Sequence, residues 1–377
     1  MKIGYESKRI FHNKTGLGNY SRGIILGLSN YFPENFYYLY NPKKTNKILF
    51  NPNNTNVFEC FPKRIFSKKF YNYWRQKGIV KDLIEDKITI YHGLSGELPL
   101  GLKKNNIKSV VTIHDLIFMR YPNMYSFFDR KIHYLKFKNA AKNADKIIAI
   151  SEQTKKDIVH FLKINPDKIS VIYQGCKEAF KQTYTKEEKE KVALKFKLPK
   201  QFILNVGTVE TRKNALLIVK AIKNCDTKLV LIGKKTKYAD EIEAYVLQNK
   251  LEDKILILNG LSSIELAIVY QLATIFVYPS IFEGFGIPII EALYSKVPVI
   301  TNKFGVFPEA GGPDSIYIDP ENVNELEEKI TYLIQNESVR KEIAEKGFDF
   351  VQRFNDDKIS KSVNEIYLKI HENSNQN

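Results

Sequence analysis

Short runs of β-branched and aromatic residues alternate along this chain with longer stretches whose apolar positions recur every three or four residues. That alternation predicts parallel sheets with helices on their faces, an α/β fold class. In the first half the predicted strands are KIGYES, FYYLY, TIYHG, VVTIHD, KIIAIS and ISVIYQ. In the second half they are FILNVG, KLVLIG, ILILNG, TIFVYP, VPVIT and SIYID. Several end in Gly, Ser, His or Asp, and ligands of open α/β sheets collect beyond the carboxyl ends of strands. Ser151 is placed to cap the helix beginning SEQTKKDI, and SSIE (Ser262 to Glu265) has capping-box spacing. Between Gly175 and Lys200 the pattern breaks into KEAFKQTYTKEEKEK, a charged polar run that predicts a domain junction.

The length of 377 residues agrees with two domains of about 150–200 residues. Cys60, Cys176 and Cys225 are scattered, odd in number and without metal-ligand spacing, which argues against a disulfide framework or a zinc site. The first residues, MKIGYESKRIF, carry charges where an export signal needs an apolar stretch. LAIVYQLATIFVY (Leu266 to Tyr278) is interrupted by Gln271, falls short of the ~20 residues that span a bilayer, and reads as a helix end running into a buried strand. A cytoplasmic protein is expected, peripheral on the inner face of the cell membrane.

Charge changes this picture once it is divided. Residues 1–175 hold 30 Lys+Arg and 13 Asp+Glu, a balance of +17, and the remainder hold 28 and 29, a balance of −1. The basic half contains two aromatic-rich tracts, Phe61 to Gly78 and Tyr121 to Lys142. Aromatic residues beside Lys and Arg suit the headgroups of an anionic membrane. Single-stranded nucleic acid favours the same mixture. Compositional drift is the bland alternative, but drift does not spare the second half.

The chemistry-bearing segments follow strands. In EGFGIPIIEA (Glu283 to Ala292), Pro288 suits the first helical position, and Gly284 and Gly286 let backbone N–H groups approach a ligand. A bare anion site would not carry two carboxylates, whereas a polyhydroxylated ligand explains Glu283 and Glu291 as hydrogen-bond acceptors. The bland reading makes both of them first-turn acids on a helix dipole. LNVGTVETRKN (Leu204 to Asn214) turns at Gly207 and offers Arg212 and Lys213 just before a helix. Adjacent cations there oppose the dipole, and they suit the grip of a diphosphate. TGLGNYSRG is a glycine-rich turn at Gly16 and Gly18, but Ser21 stands where the dinucleotide fingerprint needs glycine or alanine. A plain tight turn explains it equally well. VVTIHDLIF puts His114 and Asp115 at a strand end, open to a site role or to a backbone-satisfied core histidine. His12, His92, His133, His160 and His371 read as structural, His92 least securely. No Asp-x-Asp follows a strand, so no cofactor or metal ion is expected.

Glu-x7-Glu after a strand, in the setting FVYPSIFEGFGIPIIEAL, resembles the signature of the retaining GT-B glycosyltransferases of glycosyltransferase family 4. The resemblance runs through TGLGNYSRG, VVTIHDLIF, IIAISEQTKKDI, LNVGTVETRKN and FPEAGGPDSIYIDP. It implies a GT-B fold, two Rossmann-like domains with parallel sheets facing across a cleft. Residues 1–178 would form the acceptor-side domain and 179–355 the nucleotide-sugar donor side. Residues 356–377 would form a helix crossing back to the N-terminal domain, with a frayed tail. By the same match Glu283 takes sugar hydroxyls and Glu291 the ribose, while Arg212 and Lys213 hold the donor's diphosphate. The loop Glu283, Gly284, Phe285, Gly286 and the turns at Gly16, Gly18 and Gly207 contact the donor. His114 lies beside the donor sugar, oriented by Asp115.

The implied reaction is metal-independent and retaining. It moves a hexosyl residue from a nucleoside-diphosphate sugar to a saccharide acceptor, lipid-linked, in cell-surface polysaccharide or lipopolysaccharide assembly. Overall similarity to polysaccharide-assembling mannosyltransferases points to a mannose donor such as GDP-mannose, although no single residue decides it. An anionic membrane surface is the expected partner of the basic half, and nucleic acid is not. A sugar-nucleotide epimerase or phosphorylase of the same fold is the enzymatic alternative, and a basic nucleic-acid-binding protein the non-enzymatic one.

Overall fold

The computed structural model describes residues 1–46, 48–51, 53–64 and 70–372. Residues 65–69 of the first aromatic tract, and 373–377 of the polar tail, lie outside the described residues. The chain divides into two compact units, Met1–Gly175 with Phe354–Asn377, and Cys176–Arg353.

In the first unit β1 (Lys2–Glu6), β2 (Phe36–Tyr40), β3 (Val57–Cys60), β4 (Ile90–Gly93), β5 (Lys108–Ile113), β6 (Lys146–Ala149) and β7 (Ile169–Val171) form one sheet. Its order is β3-β2-β1-β4-β5-β6-β7, and every pairing is parallel. β4 and β5 are buried almost throughout, as the near-continuous Val/Ile runs of a sheet covered on both faces require. β3 is the strand that the hydrophobic pattern misses. It is an edge strand with Glu59 in its middle and a half-exposed sequence, VFEC, so it carries no buried run to detect.

The second unit holds β8 (Phe202–Val206), β9 (Lys228–Ile232), β10 (Ile255–Leu258), β11 (Ile275–Tyr278), β12 (Val299–Asn302) and β13 (Ile316–Ile318). Their order is β10-β9-β8-β11-β12-β13, again all parallel. Strand order reverses between β8 and β11 here, and between β1 and β4 in the first sheet. In doubly wound sheets the loops leaving the strands at such a reversal splay apart and form the ligand crevice.

Local signals set several boundaries. Ser151 accepts the Thr154 N–H, and Ser262 and Glu265 form a reciprocal capping box. The charged run contains a helix. Thr185 and Glu188 form a second capping box that starts a helix over Lys186–Phe196. The division at Gly175 precedes the expected 178 because the next residues already pack into the second unit: Lys177 Nζ bonds Ser263 Oγ at 2.8 Å, and Phe180 is buried edge-on against Tyr270.

The last helix, Asp356–Glu372, belongs to the first unit. Its Ile359, Val363, Ile366, Tyr367 and Ile370 share a core with Ile3, Tyr5, Ile24 and Leu28. A buried polar chain crosses that core. Tyr5 and Tyr367 hydroxyls lie 3.0 Å apart, Tyr367 reaches His92 Nδ1 at 2.6 Å, and His92 Nε2 meets Thr112 Oγ1 at 2.8 Å. Burial pulls the His92 pKa down to about 3, so the ring is neutral and structural.

Candidate functional site

Two groups of side chains sit beyond the strand ends at the two reversals. In the second unit, β8 runs into Gly207 and then a single 3-10 turn, Thr211–Lys213, which presents the two cations side by side. β11 leads into Pro279, Ser280 and the loop carrying Glu283. The loops are tied by their backbones: Ile281 N–H donates to the Arg212 carbonyl at 2.9 Å.

Arg212, Lys213 and Glu283 meet in one cluster. Arg212 NH1 lies 2.8 Å from Glu283 Oε1, and its NH2 lies 2.8 Å from Glu210. Lys213 Nζ bonds the same Oε1 and reaches the Tyr278 hydroxyl at 2.5 Å. Tyr278 and Ser280 also donate to Oε1, at 3.0 and 2.8 Å. Among the described residues, every bond to this carboxylate therefore converges on one oxygen. Among the described residues no donor reaches Oε2, and the side chain keeps 14% of its surface open. Burial raises the Glu283 pKa, but the two cations outweigh it and hold the carboxyl below its ordinary value. Burial likewise works against the Arg212 charge, and Glu283 more than restores it.

Gly286 takes φ +111°, a conformation that a side chain would strain, and from it the helix Ile287–Tyr294 starts. Pro288 occupies the second helical position, not the expected first. Phe285 is buried at 3% exposure, so its ring packs inward and only its backbone suits the expected donor contact. Gly284, half-buried, lies between Glu283 and that ring. Glu291 sits a turn into the helix. Its Oε2 accepts from Tyr270 at 3.1 Å, and burial lifts its pKa to about 7, with the Tyr270 hydrogen bond and Lys177 pulling the other way.

The first unit gathers the remaining candidates. Gly16 opens the helix Gly16–Tyr31 at the surface, while Gly18 is buried against the preceding loop. A Cβ on Gly18 would lie 2.0 Å from the Asn13 carbonyl oxygen. Gly18→Ala is accordingly expected to lower the thermal midpoint by several degrees, since backbone must move to admit the methyl group. An unchanged melting curve would show that the turn tolerates it.

His114 is not oriented by Asp115 as expected. Its Nε2 lies 2.9 Å from the Leu94 carbonyl oxygen, which makes that nitrogen the donor, and Nδ1 lies 3.2 Å from Gln174 Nε2. Both nitrogens are occupied, and burial lowers the pKa to about 4. Asp115 accepts from Ile117 N–H at 3.1 Å, and the ring of His114 is oriented by Leu94 and Gln174 instead, with Tyr20 edge-on at 4.6 Å. The neutral ring is thus a fixed wall.

Tyr278, Ser280 and Gln174 are the site residues the sequence reading missed. The first two stand at a strand's carboxyl end, which is the signal that would have found them; nothing local marks Gln174.

The match to known proteins covers both units. Residues 41–179 match the family model Glycosyltransferase Family 4, and 186–350 match Glycosyl transferases group 1. The chain is 30% identical over 256 residues to the O-antigen chain mannosyltransferase RfbU of Salmonella typhimurium, an alignment spanning 67% of this chain and 66% of that protein. It is 30% identical over 293 residues to an uncharacterized glycosyltransferase of Methanocaldococcus jannaschii, covering 77% and 76%. Against O-antigen chain mannosyltransferase B of Escherichia coli the identity is 25% over 378 residues, covering 94% and 96%. Among solved structures, the sucrose-phosphate synthase of Thermosynechococcus elongatus superposes with a TM-score of 0.79 at 19% identity, covering 98% of this chain and 99% of that one. Anabaena HepE in complex with UDP-glucose gives 0.76 at 16%, covering 98% and 100%. With two parallel Rossmann-like sheets, these neighbours place the chain in the α/β GT-B fold.

Proposed function

The chain belongs to the group 1 glycosyltransferases, and from that premise we propose that it moves a hexosyl residue, mannose, from a nucleoside-diphosphate sugar to a lipid-linked saccharide. The setting would be the assembly of cell-surface polysaccharide or lipopolysaccharide at an anionic membrane face. Mannose and the O-antigen setting are supported by the names of the relatives from Salmonella and Escherichia. GDP-mannose is the donor proposed with them.

One observation carries the reading: four donors from two segments, the turn after β8 and the end of β11, hold Glu283 by Oε1 and leave Oε2 open to a ligand. An ionised carboxylate oxygen beside two cations suits a polyhydroxylated, doubly charged molecule such as a sugar diphosphate. Sugar hydroxyls donate to Oε2, and Arg212 and Lys213 take the pyrophosphate oxygens and stabilise the leaving group without a metal.

In this proposal the anomeric configuration is retained. Glu283 is a poor nucleophile, because the cations that lower its pKa also withdraw its electron density. The acceptor oxygen would instead attack the anomeric carbon on the face that the phosphate leaves. The carbon–phosphate oxygen bond breaks as the new carbon–oxygen bond forms, and the acceptor's proton passes to the departing phosphate oxygen. Positioning and electrostatics supply the rate.

The test is a thermal-shift panel of GDP-, UDP-, ADP- and dTDP-sugars in buffer containing a chelator, followed by product analysis with the sugar that binds. A GDP-sugar at a hundred times its Kd is expected to add about 2.7 kcal/mol of stability. No shift with any member would overturn the donor site. A free epimer or sugar phosphate as product would replace transfer with the epimerase or phosphorylase reading.

Glu291 gives this reading a pH signature. With a pKa of about 7 the donor-free side chain is half protonated at neutral pH. Gripping ribose hydroxyls as an acceptor favours the ionised form, so below pH 7 each unit costs about 1.4 kcal/mol of deprotonation. Donor affinity is therefore expected to fall by about fivefold from pH 7 to 6, to approach tenfold per unit below that, and to level off above pH 8. Glu291→Gln should bind more weakly and flatten the profile. A wild-type profile that is already flat would remove Glu291 from the ribose.

A further inference from the structure

Three loops of the first unit leave their sheet at or beside its reversal. The loop after β1 carries Arg9 in the short helix Lys8–His12, the loop after β4 carries Leu94 and Ser95, and the loop after β5 carries His114. Side chains tie them together. Arg9 Nε donates to Ser95 Oγ at 3.0 Å, and His114 Nε2 donates to the adjoining Leu94 carbonyl oxygen at 2.9 Å. The backbone of Arg9 also abuts the glycine-rich turn, since a Cβ on Gly18 would stand 3.0 Å from the Arg9 carbonyl oxygen. Arg9 therefore lies where ligands of doubly wound sheets collect, beyond the carboxyl ends of diverging strands.

The acids at this end of the sheet are already taken. Arg75 lies 2.7 Å from Glu6 Oε1 and 3.4 Å from Glu97 Oε2, and Lys136 lies 3.4 Å from Glu97 Oε1. The Lys8 N–H also donates to Glu6 Oε1, at 3.2 Å. Arg9 is half-buried, and among the described residues its side chain has a neutral hydroxyl as its only polar partner, with no acceptor at NH1 or NH2. Burial takes hydration from a guanidinium that a serine hydroxyl does not return. A solvated arginine needs no tether at Nε, and an arginine serving the fold would pair with a carboxylate, as Arg75 does. The charge is felt at the neighbouring loop: burial does most to lower the His114 pKa, the Leu94 carbonyl opposes it, and Arg9 lowers it further. The ring stays neutral, so the uncompensated charge of these loops is the guanidinium's.

A guanidinium pinned at Nε presents NH1 and NH2 side by side, the edge that bonds two oxygens of one phosphoryl group. A sugar hydroxyl offers no counter-charge and suits the position less well. We infer that Arg9, held by Ser95, binds a phosphoryl group of a substrate at the carboxyl end of the first sheet, a contact additional to Arg212 and Lys213. The inference rests on the transferase reading and deepens it. Two sources share the chemistry, the donor's pyrophosphate and a phosphate in the lipid linkage of the acceptor.

Titration calorimetry with inorganic pyrophosphate tests it, melting curves showing that each variant is folded. Arg212→Ala/Lys213→Ala removes the second unit's cations and is still expected to bind pyrophosphate. Arg9→Gln in that background should weaken binding by about tenfold to a hundredfold, and Arg9→Lys, which keeps the charge without the fork, by less. Undiminished binding in Arg9→Gln, or no heat from Arg212→Ala/Lys213→Ala at about 10 mM pyrophosphate, would overturn the assignment. If Arg9→Gln does not fold, Ser95→Ala decides: it keeps the charge and frees Nε, and a loss of about twofold to tenfold supports the site where unchanged binding rejects it. Farnesyl diphosphate and GDP-mannose, titrated into the wild type and Arg9→Gln, separate the sources. A loss with farnesyl diphosphate assigns the contact to the acceptor's linkage, and a loss with GDP-mannose assigns it to the donor. The pyrophosphate arm uses no sugar. A failed donor panel with an intact Arg9 effect would retire the transferase reading alone, and a normal panel without an Arg9 effect would retire Arg9 alone.

Discussion

Glu283→Ala is expected to abolish transfer, with kcat/KM down by at least about a thousandfold, in a protein that still folds. The first half of that expectation comes from position. Through Oε1 the carboxylate fixes both cations; in the proposed site the same group would receive the donor's hydroxyls at Oε2, and the cations would meet the pyrophosphate. Its loss removes a charge-assisted bond to substrate and loosens two more. At ~1.5–3 kcal/mol each, about 4 kcal/mol is readily reached. The second half comes from what remains. Arg212 keeps Glu210 at 2.8 Å and Lys213 keeps the Tyr278 hydroxyl at 2.5 Å, so neither cation is stranded. Steady-state rates and a melting curve check both halves. Near-normal turnover would reject the sugar contact, and a collapsed melting transition would mean that the cluster is structural. Glu283→Gln retains an acceptor at Oε1 and should fall between the wild type and alanine.

Arg212→Ala is the second large effect, a loss of about tenfold to a hundredfold in donor affinity or turnover. Arg212 also binds the Phe282 carbonyl oxygen, next to Glu283 in the chain, so its removal disturbs the carboxylate it partners. Glu283→Ala and Arg212→Ala should therefore not add. A double mutant near the worse single mutant would show the coupling. Full additivity would mean that the two residues act on separate parts of the ligand, and unchanged kinetics in the single mutant would take Arg212 out of the site.

The strands were legible because this fold writes them plainly. A parallel sheet covered on both sides needs nearly unbroken Val/Ile runs, and FILNVG, KLVLIG and TIFVYP are such runs. β3 was not, because an edge strand with one neighbour tolerates Glu59 at its centre. The helix Lys186–Phe196 was not read as a helix, only as a charged run at the domain junction, because it buries only Val192 and relies on its cap. At the site, carboxylates and cations following strands were readable as types. Their mutual arrangement was not. Lys213 meets Glu283 across 70 residues of sequence and Tyr278 across 65, and no local pattern tells that four donors will choose one oxygen. His114 shows the same gap. Its role turned on Leu94 and Gln174, 20 and 60 residues away, whose approach only the folded chain defines.

The helix Asp356–Glu372 lends Tyr367 and its apolar neighbours to a core otherwise built from residues between Ile3 and Ile172. During synthesis that core stays incomplete until the segment beyond Phe354 has emerged from the ribosome, long after the second unit's strands are available. Residues 1–175 produced alone would expose the bed of this helix, and a fragment boundary chosen between the two sheets would cut through one interior.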